Sequence, residues 1–181
     1  MSVATPFKFK VCLVGEHAVG KTCLIRRYVF NEFSDSYICT IGAKATKKKL
    51  TVQHPKTKKP VDVYLLIWDI TGQQGFRKLL QQAYFSGVQG IVAVCDNTRE
   101  RTLPELGSWI GGIQDVTEEI PTVFLGNKCD LIEEQQISLN EIRSFASGYE
   151  RSAAYLSSAK TGFNVELAFN IIGGQILKEL L

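Results

Sequence analysis

With 181 residues, 45% of them hydrophobic and 22% charged, the chain has the size and balance of a single globular domain over 1–181 whose core needs no disulfide or metal, and fibrous and disordered classes are excluded. A formal net charge of +3 is too small to argue for nucleic-acid binding, and no apolar run approaches a secretion-signal core or the roughly 20 residues of a bilayer-spanning helix. The five cysteines, Cys12, Cys23, Cys39, Cys95 and Cys129, are odd in number and lack metal-ligand spacing, so they read as reduced cytoplasmic thiols, with Cys12 and Cys95 as small buried hydrophobes.

In chain order, Phe7 to Val14 alternates apolar residues with Lys8 and Lys10 and then turns fully apolar, as a strand entering a buried sheet should. A glycine loop follows, and Cys23 to Phe30 has apolar residues at helical spacing. Ala45–Gln53 and Val61–Trp68 flank a Pro- and Lys-rich turn and predict a β-hairpin. Gly90–Cys95, Thr122–Leu125 and Ala153–Leu156 are short strands, and helices are predicted near 74–86, 100–117, 139–149 and 164–181. Strand alternating with helix predicts an α/β fold: a doubly wound, mostly parallel six-stranded sheet with about five helices, of the P-loop NTPase type, binding its ligand at the carboxyl ends of the strands.

The chemistry-bearing motifs fall at those ends. Gly15-Glu16-His17-Ala18-Val19-Gly20-Lys21-Thr22 fits G-x-x-x-x-G-K-[ST], in which glycine turns let backbone N–H groups cradle a phosphate chain at a helix N-terminus. Gly15, His17, Ala18, Val19, Gly20, Lys21, Thr22 and the adjoining Cys23 are therefore expected around the phosphates, with Lys21 neutralising them and the Thr22 hydroxyl offered to Mg²⁺. Asp69, at the end of the next strand, is a second candidate for the Mg²⁺ shell. Gly72 can bring its N–H to the terminal phosphate, and the Gln73 amide can orient an attacking water. Asn127-Lys128-Cys129-Asp130 and Ser158-Ala159-Lys160 follow two later strands. The Asp130 carboxylate can accept both N–H donors of guanine, the Ala159 N–H suits the guanine O6, and Lys128 and Lys160 can flank the base. An ATP-using kinase or ATPase is disfavoured by Asp130 and the Ser158–Lys160 loop.

Together these motifs give a chain that resembles a Ras-superfamily small GTPase along essentially its whole length. Tyr37–Gly42, Trp68 before Asp69, and Tyr84-Phe85-Ser86-Gly87 are most similar to the Rab family. The resemblance implies a GTP/GDP switch with Mg²⁺ and slow hydrolysis. It implies Thr40 as a ligand of Mg²⁺ and the γ-phosphate, acting with Lys21 and Gln73 in hydrolysis, and Phe33 on the edge of the base. It also implies that residues 32–44 and 70–86 meet exchange factors, activating proteins and effectors.

Several residues depart from the family's pattern. Thr71 replaces alanine beside the γ-phosphate and is expected to restrict Gly72 or to accept a phosphoryl group, and His17 adds bulk where a partner's arginine would enter. A GTP-locked scaffold that barely hydrolyses is the alternative these two residues raise, and Gln73 argues against it. No arginine of the P-loop or of 69–74 is placed to act in cis, and Arg77 has no assignable role. Lys44, Lys47, Lys48, Lys49, Lys56, Lys58 and Lys59 read as a solvated sheet edge, or more sharply as a surface for an acidic partner or anionic membrane. The segment Ile176–Leu181 holds no cysteine for prenylation, which leaves open a removed tail or a soluble relative. The expected location is cytoplasmic, with peripheral membrane attachment compatible.

Overall fold

The computed structural model describes residues 6–36, 39–73 and 83–181. Strand β1 (Phe7–Val14) lies at the centre of a six-stranded sheet. The others are β2 (Ala43–Gln53), β3 (Pro60–Ile70), β4 (Gly90–Asp96), β5 (Thr122–Asn127) and β6 (Ser152–Leu156), in the order β2-β3-β1-β4-β5-β6. Only the β2–β3 hairpin is antiparallel, with Ala43 opposite Ile70 and Gln53 opposite Pro60. The connection after β1 runs to the β2–β3 side of it, and the connection after β3 crosses to β4 on its other side, so the two part at the carboxyl end of β1. That is the switch point at which an open α/β sheet forms a crevice.

Four helices stand out among the described residues: α1 (Lys21–Phe30), α2 (Glu105–Gln114), α3 (Leu139–Ala146) and α4 (Val165–Leu180). Alternate residues of each strand point to opposite faces, and two core clusters follow from that alternation. Phe9, Val11 and Leu13 of β1 pack with Val63, Leu65 and Ile67 of β3 beneath α1 and α4, where Leu24, Phe169 and Ile172 are fully buried. Cys12 and Val14 join Ala93, Cys95 and Phe124 beneath α2 and α3, around Trp109 and Ile142. Burial pushes the thiols of Cys12 and Cys95 up to about 12, so both are inert apolar fillers, as expected from their sequence context.

The predicted boundaries shift in interpretable ways. Helix 100–117 resolves into a 3₁₀ turn at Glu100–Thr102 and α2 from Glu105, because Pro104 has no N–H to carry a helix through. The segment 139–149 stops at Ala146, after which Gly148 and Tyr149 donate to Phe145 and Ala146 carbonyls in tighter turns. Its start is fixed by a capping box in which Ser138 and Glu141 bond reciprocally. Of predicted helix 74–86, Ala83 and Tyr84 are helical and 74–82, including Gln74 and Arg77, lie outside the described residues, as do Tyr37 and Ile38.

The lysine-rich β2 is an edge strand. Lys49 pairs with Asp62 at 2.6 Å, the Lys47 ammonium sits 4.1 Å from the Tyr64 ring centre, and Lys48 donates to the Val29 carbonyl at 3.2 Å. These partners fit the solvated-edge reading of that strand.

Candidate functional site

At the carboxyl end of β1 the chain turns sharply into α1. Ala18 is left-handed (φ 59°), and so is Gly20 (φ 102°), immediately before the helix. A side chain at Gly20 would put its Cβ 2.3 Å from Asn127 Nδ2, so only glycine allows Asn127 to press on this loop. Lys21 begins α1 and folds back over the loop. Its Nζ donates to the carbonyls of Gly15 and Glu16, both at 2.7 Å. Burial in this turn is the main reason its ammonium is pulled down to about 8, although Asp69 pulls the other way.

The parallel register sets Asp69 of β3 opposite Leu13 of β1, which carries the carboxylate to the edge of the loop. Its Oδ2 accepts from Thr22 Oγ1 at 2.5 Å and Thr40 Oγ1 at 3.3 Å, and the two hydroxyls are 2.9 Å apart. Asp69 Oδ1 is buried with no hydrogen-bond partner among the described residues. Burial raises this carboxyl's pKa, and the Thr22, Lys21 and Thr40 contacts oppose the rise only in part. Two hydroxyl oxygens gathered on one carboxylate oxygen, with the other carboxylate oxygen buried and unpartnered among the described residues, suit a hard divalent cation such as Mg²⁺.

Beyond β3, Thr71 donates its N–H to the Gly42 carbonyl at 2.9 Å and its hydroxyl oxygen accepts from the Gln73 N–H at 3.4 Å. Gly72 lies flat on the P-loop: an added Cβ would stand 2.3 Å from the His17 nitrogen. The Gln73 side chain reaches across to Cys39 Sγ at 3.3 Å.

The opposite end is assembled from two strand ends. Asn127 donates to the Val19 carbonyl at 2.9 Å and accepts from the Ala159 N–H at 3.2 Å and the Ser157 hydroxyl at 3.3 Å. It thus joins phosphate loop, β5 and the segment after β6. Asp130 Oδ1 accepts from Ser158 Oγ at 2.6 Å. Arg27 of α1 donates to the carbonyls of Ala159 and Lys160 at 2.8 and 2.7 Å. Lys128, itself left-handed (φ 64°), donates to Asp96 Oδ2 at 2.6 Å. Burial pushes Asp96 up, but the bonds from Lys128 and Thr98 outweigh it and hold the carboxyl below its usual range.

One cavity of about 480 Å³ runs between these ends, from His17, Lys21 and Thr22 to Asn127, Asp130 and Ala159. That volume is within the range of small-molecule sites. A Ras family model matches residues 10–178. The chain belongs to the Ras family. It is 34% identical to the Ras-related protein Rab-8 of Diplobatis ommata over 182 aligned residues, covering 99% of this chain and 82% of that protein. Identity to the Ras-related protein Rab-8B of Bos taurus is 33%, covering 99% of this chain and 84% of that protein, and to Rab-13 of Rattus norvegicus 32%, covering 98% and 84%. This Ras-family chain is a Rab-like small GTPase, a hydrolase by family.

Every site residue expected of the GTPase from sequence lies in or against this one cavity. His17, Ala18, Gly20, Lys21, Thr22, Cys23, Phe33, Thr40, Gly72, Gln73, Asn127, Lys128, Asp130, Ala159 and Lys160 line it. Gly15, Val19, Asp69 and Ser158 hold liners from behind through the bonds given above. Sequence reasoning passed over Arg27 and Asp96. Asp96 was legible as the carboxylate ending the apolar strand β4 beside β1, the same signal that singled out Asp69; Arg27 looks like any solvated helix residue, and only the tertiary fold brings it to the Ala159 and Lys160 carbonyls.

Proposed function

We propose that residues 1–181 act as one switch domain that binds GTP and GDP with Mg²⁺ and slowly hydrolyses GTP, in regulation of the membrane-traffic type. The observation that carries this reading is the continuity of the cavity from the Lys21 ammonium to the Asp130 carboxylate. In it, Lys21 and the amides of residues 15–22 hold the phosphates. Asp130, held by Ser158, accepts the two guanine N–H donors, and the Ala159 N–H is shared between Asn127 Oδ1 and O6. Lys128, Lys160 and Phe33 bound the base. Thr22, Thr40 and Asp69 would hold Mg²⁺, which supplies neutralisation of developing phosphate charge when bound. Gln73 orients the water. Gln73 lines the cavity, which favours hydrolysis over a permanently GTP-locked scaffold.

Exchange factors, activating proteins and effectors are expected to engage 32–44 and 70–86. The protein would work in the cytoplasm or peripherally on a membrane; no helix among the described residues is long and apolar enough to cross one. The intrinsic rate should be on the order of 10⁻⁴ to 10⁻³ s⁻¹, by analogy with Ras, rising roughly 10³- to 10⁵-fold with a partner that supplies an arginine. The test is the identity of the co-purifying nucleotide, competition by ATP, and single-turnover hydrolysis with and without Mg²⁺. Guanine nucleotide, no ATP competition and loss of hydrolysis without Mg²⁺ are expected; tighter ATP than GTP binding would overturn the reading.

A further inference from the structure

Asp96 ends β4 in a tight turn: its Oδ1 accepts from the N–H and hydroxyl of Thr98 at 2.9 and 2.7 Å, and the Arg99 N–H donates to the Asp96 carbonyl at 2.9 Å. This turn throws the Arg99 side chain back over the phosphate loop. Its Nε donates to Asp96 Oδ2 at 3.0 Å, its Nη2 donates to the His17 carbonyl at 2.9 Å, and its Nη1 stands 3.8 Å from Glu16 Oε2. With carboxylates on two edges and a carbonyl on the third, and a side chain only 26% exposed, the guanidinium plane has one orientation available.

The contact falls on a meaningful peptide bond. In a planar trans peptide the C=O and N–H leave opposite edges. With the His17 oxygen held outward by Arg99, the Ala18 N–H leaves on the other edge, and His17 and Ala18 both line the cavity. Ala18 pays for this turn with a left-handed φ of 59°, a conformation disfavoured for a residue with a Cβ. A charged donor on the carbonyl stabilises that turn and also polarises the peptide, which makes its N–H a stronger donor.

We propose that Arg99 is a positioning residue for the nucleotide phosphates: from outside the cavity it clamps the His17–Ala18 peptide so that the Ala18 N–H is aimed at a phosphate oxygen. Through Asp96 Oδ2, which also accepts from Lys128 at 2.6 Å, the same clamp ties the phosphate loop to the base loop, so that both ends of the nucleotide depend on one carboxylate oxygen. The charge of Arg99 is also felt inside the cavity: after burial, which dominates, it adds to the downward pull on Lys21, and Glu16 opposes it. The inference rests on the nucleotide-switch reading above.

The test uses the full chain loaded with GDP and Mg²⁺, following the Ala18 amide in ¹H–¹⁵N spectra and the release of a fluorescent GDP analogue. In Arg99→Ala the Ala18 amide proton should move upfield and release should accelerate about 5- to 10-fold, the scale of one neutral hydrogen bond, because Arg99 reaches the phosphate only through the Ala18 N–H. Arg99→Lys, which keeps a charged donor without the fork, should fall between the two, and it gives the answer if the alanine variant does not fold. Arg101→Ala, which removes only a 3.8 Å approach to Glu16 from a side chain 70% exposed, should leave both readouts in place. An unchanged Ala18 amide and release rate in a folded Arg99 variant that still binds GDP would overturn the clamp alone. A wild-type chain that binds no guanine nucleotide would instead overturn the switch reading and the clamp with it.

Discussion

At the phosphate end of the cavity the key contacts are local: Lys21 bonds carbonyls only five and six residues upstream. At the base end they are long-range, with Asp130 and Asn127 meeting Ser158 and Ala159 across 28 and 32 residues. The loop at the phosphate end therefore takes its shape from turn chemistry within one short segment, with glycines and one buried ammonium, while Asp69, Asn127 and Arg99 brace it from distant strand ends. The base end is specified by the parallel register of β5 on β6, which brings Gly126 opposite Leu156 and so sets the two following loops side by side. Phosphate binding and base choice should then be separable by mutation.

The largest effect should come from Lys21→Ala. Removing the buried cation proposed to bond the phosphates should weaken GTP, GDP and ATP alike, by roughly 10²- to 10³-fold for the loss of about two charge-assisted bonds. Titration of all three nucleotides against wild type and variant checks this, and a loss confined to guanine nucleotides would erase the division between the two ends. Asp130→Asn should do less and do it selectively. It keeps one acceptor but replaces the carboxylate, so GTP and GDP affinity should fall about 10- to 100-fold while the already weak ATP affinity stays within about 2-fold. An equal loss for ATP would mean that Asp130 supports the loop rather than reading the base.

The same contrast explains what could be read from sequence. The strand–loop–helix at 7–30, the Asp69 strand end and the Asn127–Asp130 and Ser158–Lys160 loops were legible because each rests on local pattern: apolar runs ended by glycine or a carboxylate. That the sheet is mostly parallel could be argued from alternation, but its strand order could not. The Arg99 clamp and the Arg27 bonds to Ala159 and Lys160 were not legible, because both arginines look like solvated surface residues until the fold sets them against backbone carbonyls 82 and 132 residues away. The break between 3₁₀ turn and α2 was signalled by Pro104, and was missed where apolar spacing alone carried the helix through it.

Thr71 tests the phosphate end more finely, because it changes timing rather than affinity. The residue is 2% exposed, its N–H is fixed to Gly42, and its hydroxyl accepts from the Gln73 N–H at 3.4 Å. This long, weak bond still biases the backbone that carries Gln73, next to a Gly72 pressed against the His17 peptide. Thr71→Ala removes the hydroxyl and keeps the Gly42 contact, so Gln73 should reach its water-orienting position more often. Losing one neutral hydrogen bond, worth about 0.5–1.5 kcal/mol, corresponds to roughly 2- to 10-fold. Single-turnover GTP hydrolysis should quicken by that factor while GDP affinity and the Ala18 amide shift stay at wild-type values. An unchanged rate would mean that the hydroxyl is a tolerated substitution. A changed GDP affinity would mean that Thr71 acts on the phosphate loop itself, with Gly72 rather than Gln73 as the element it holds.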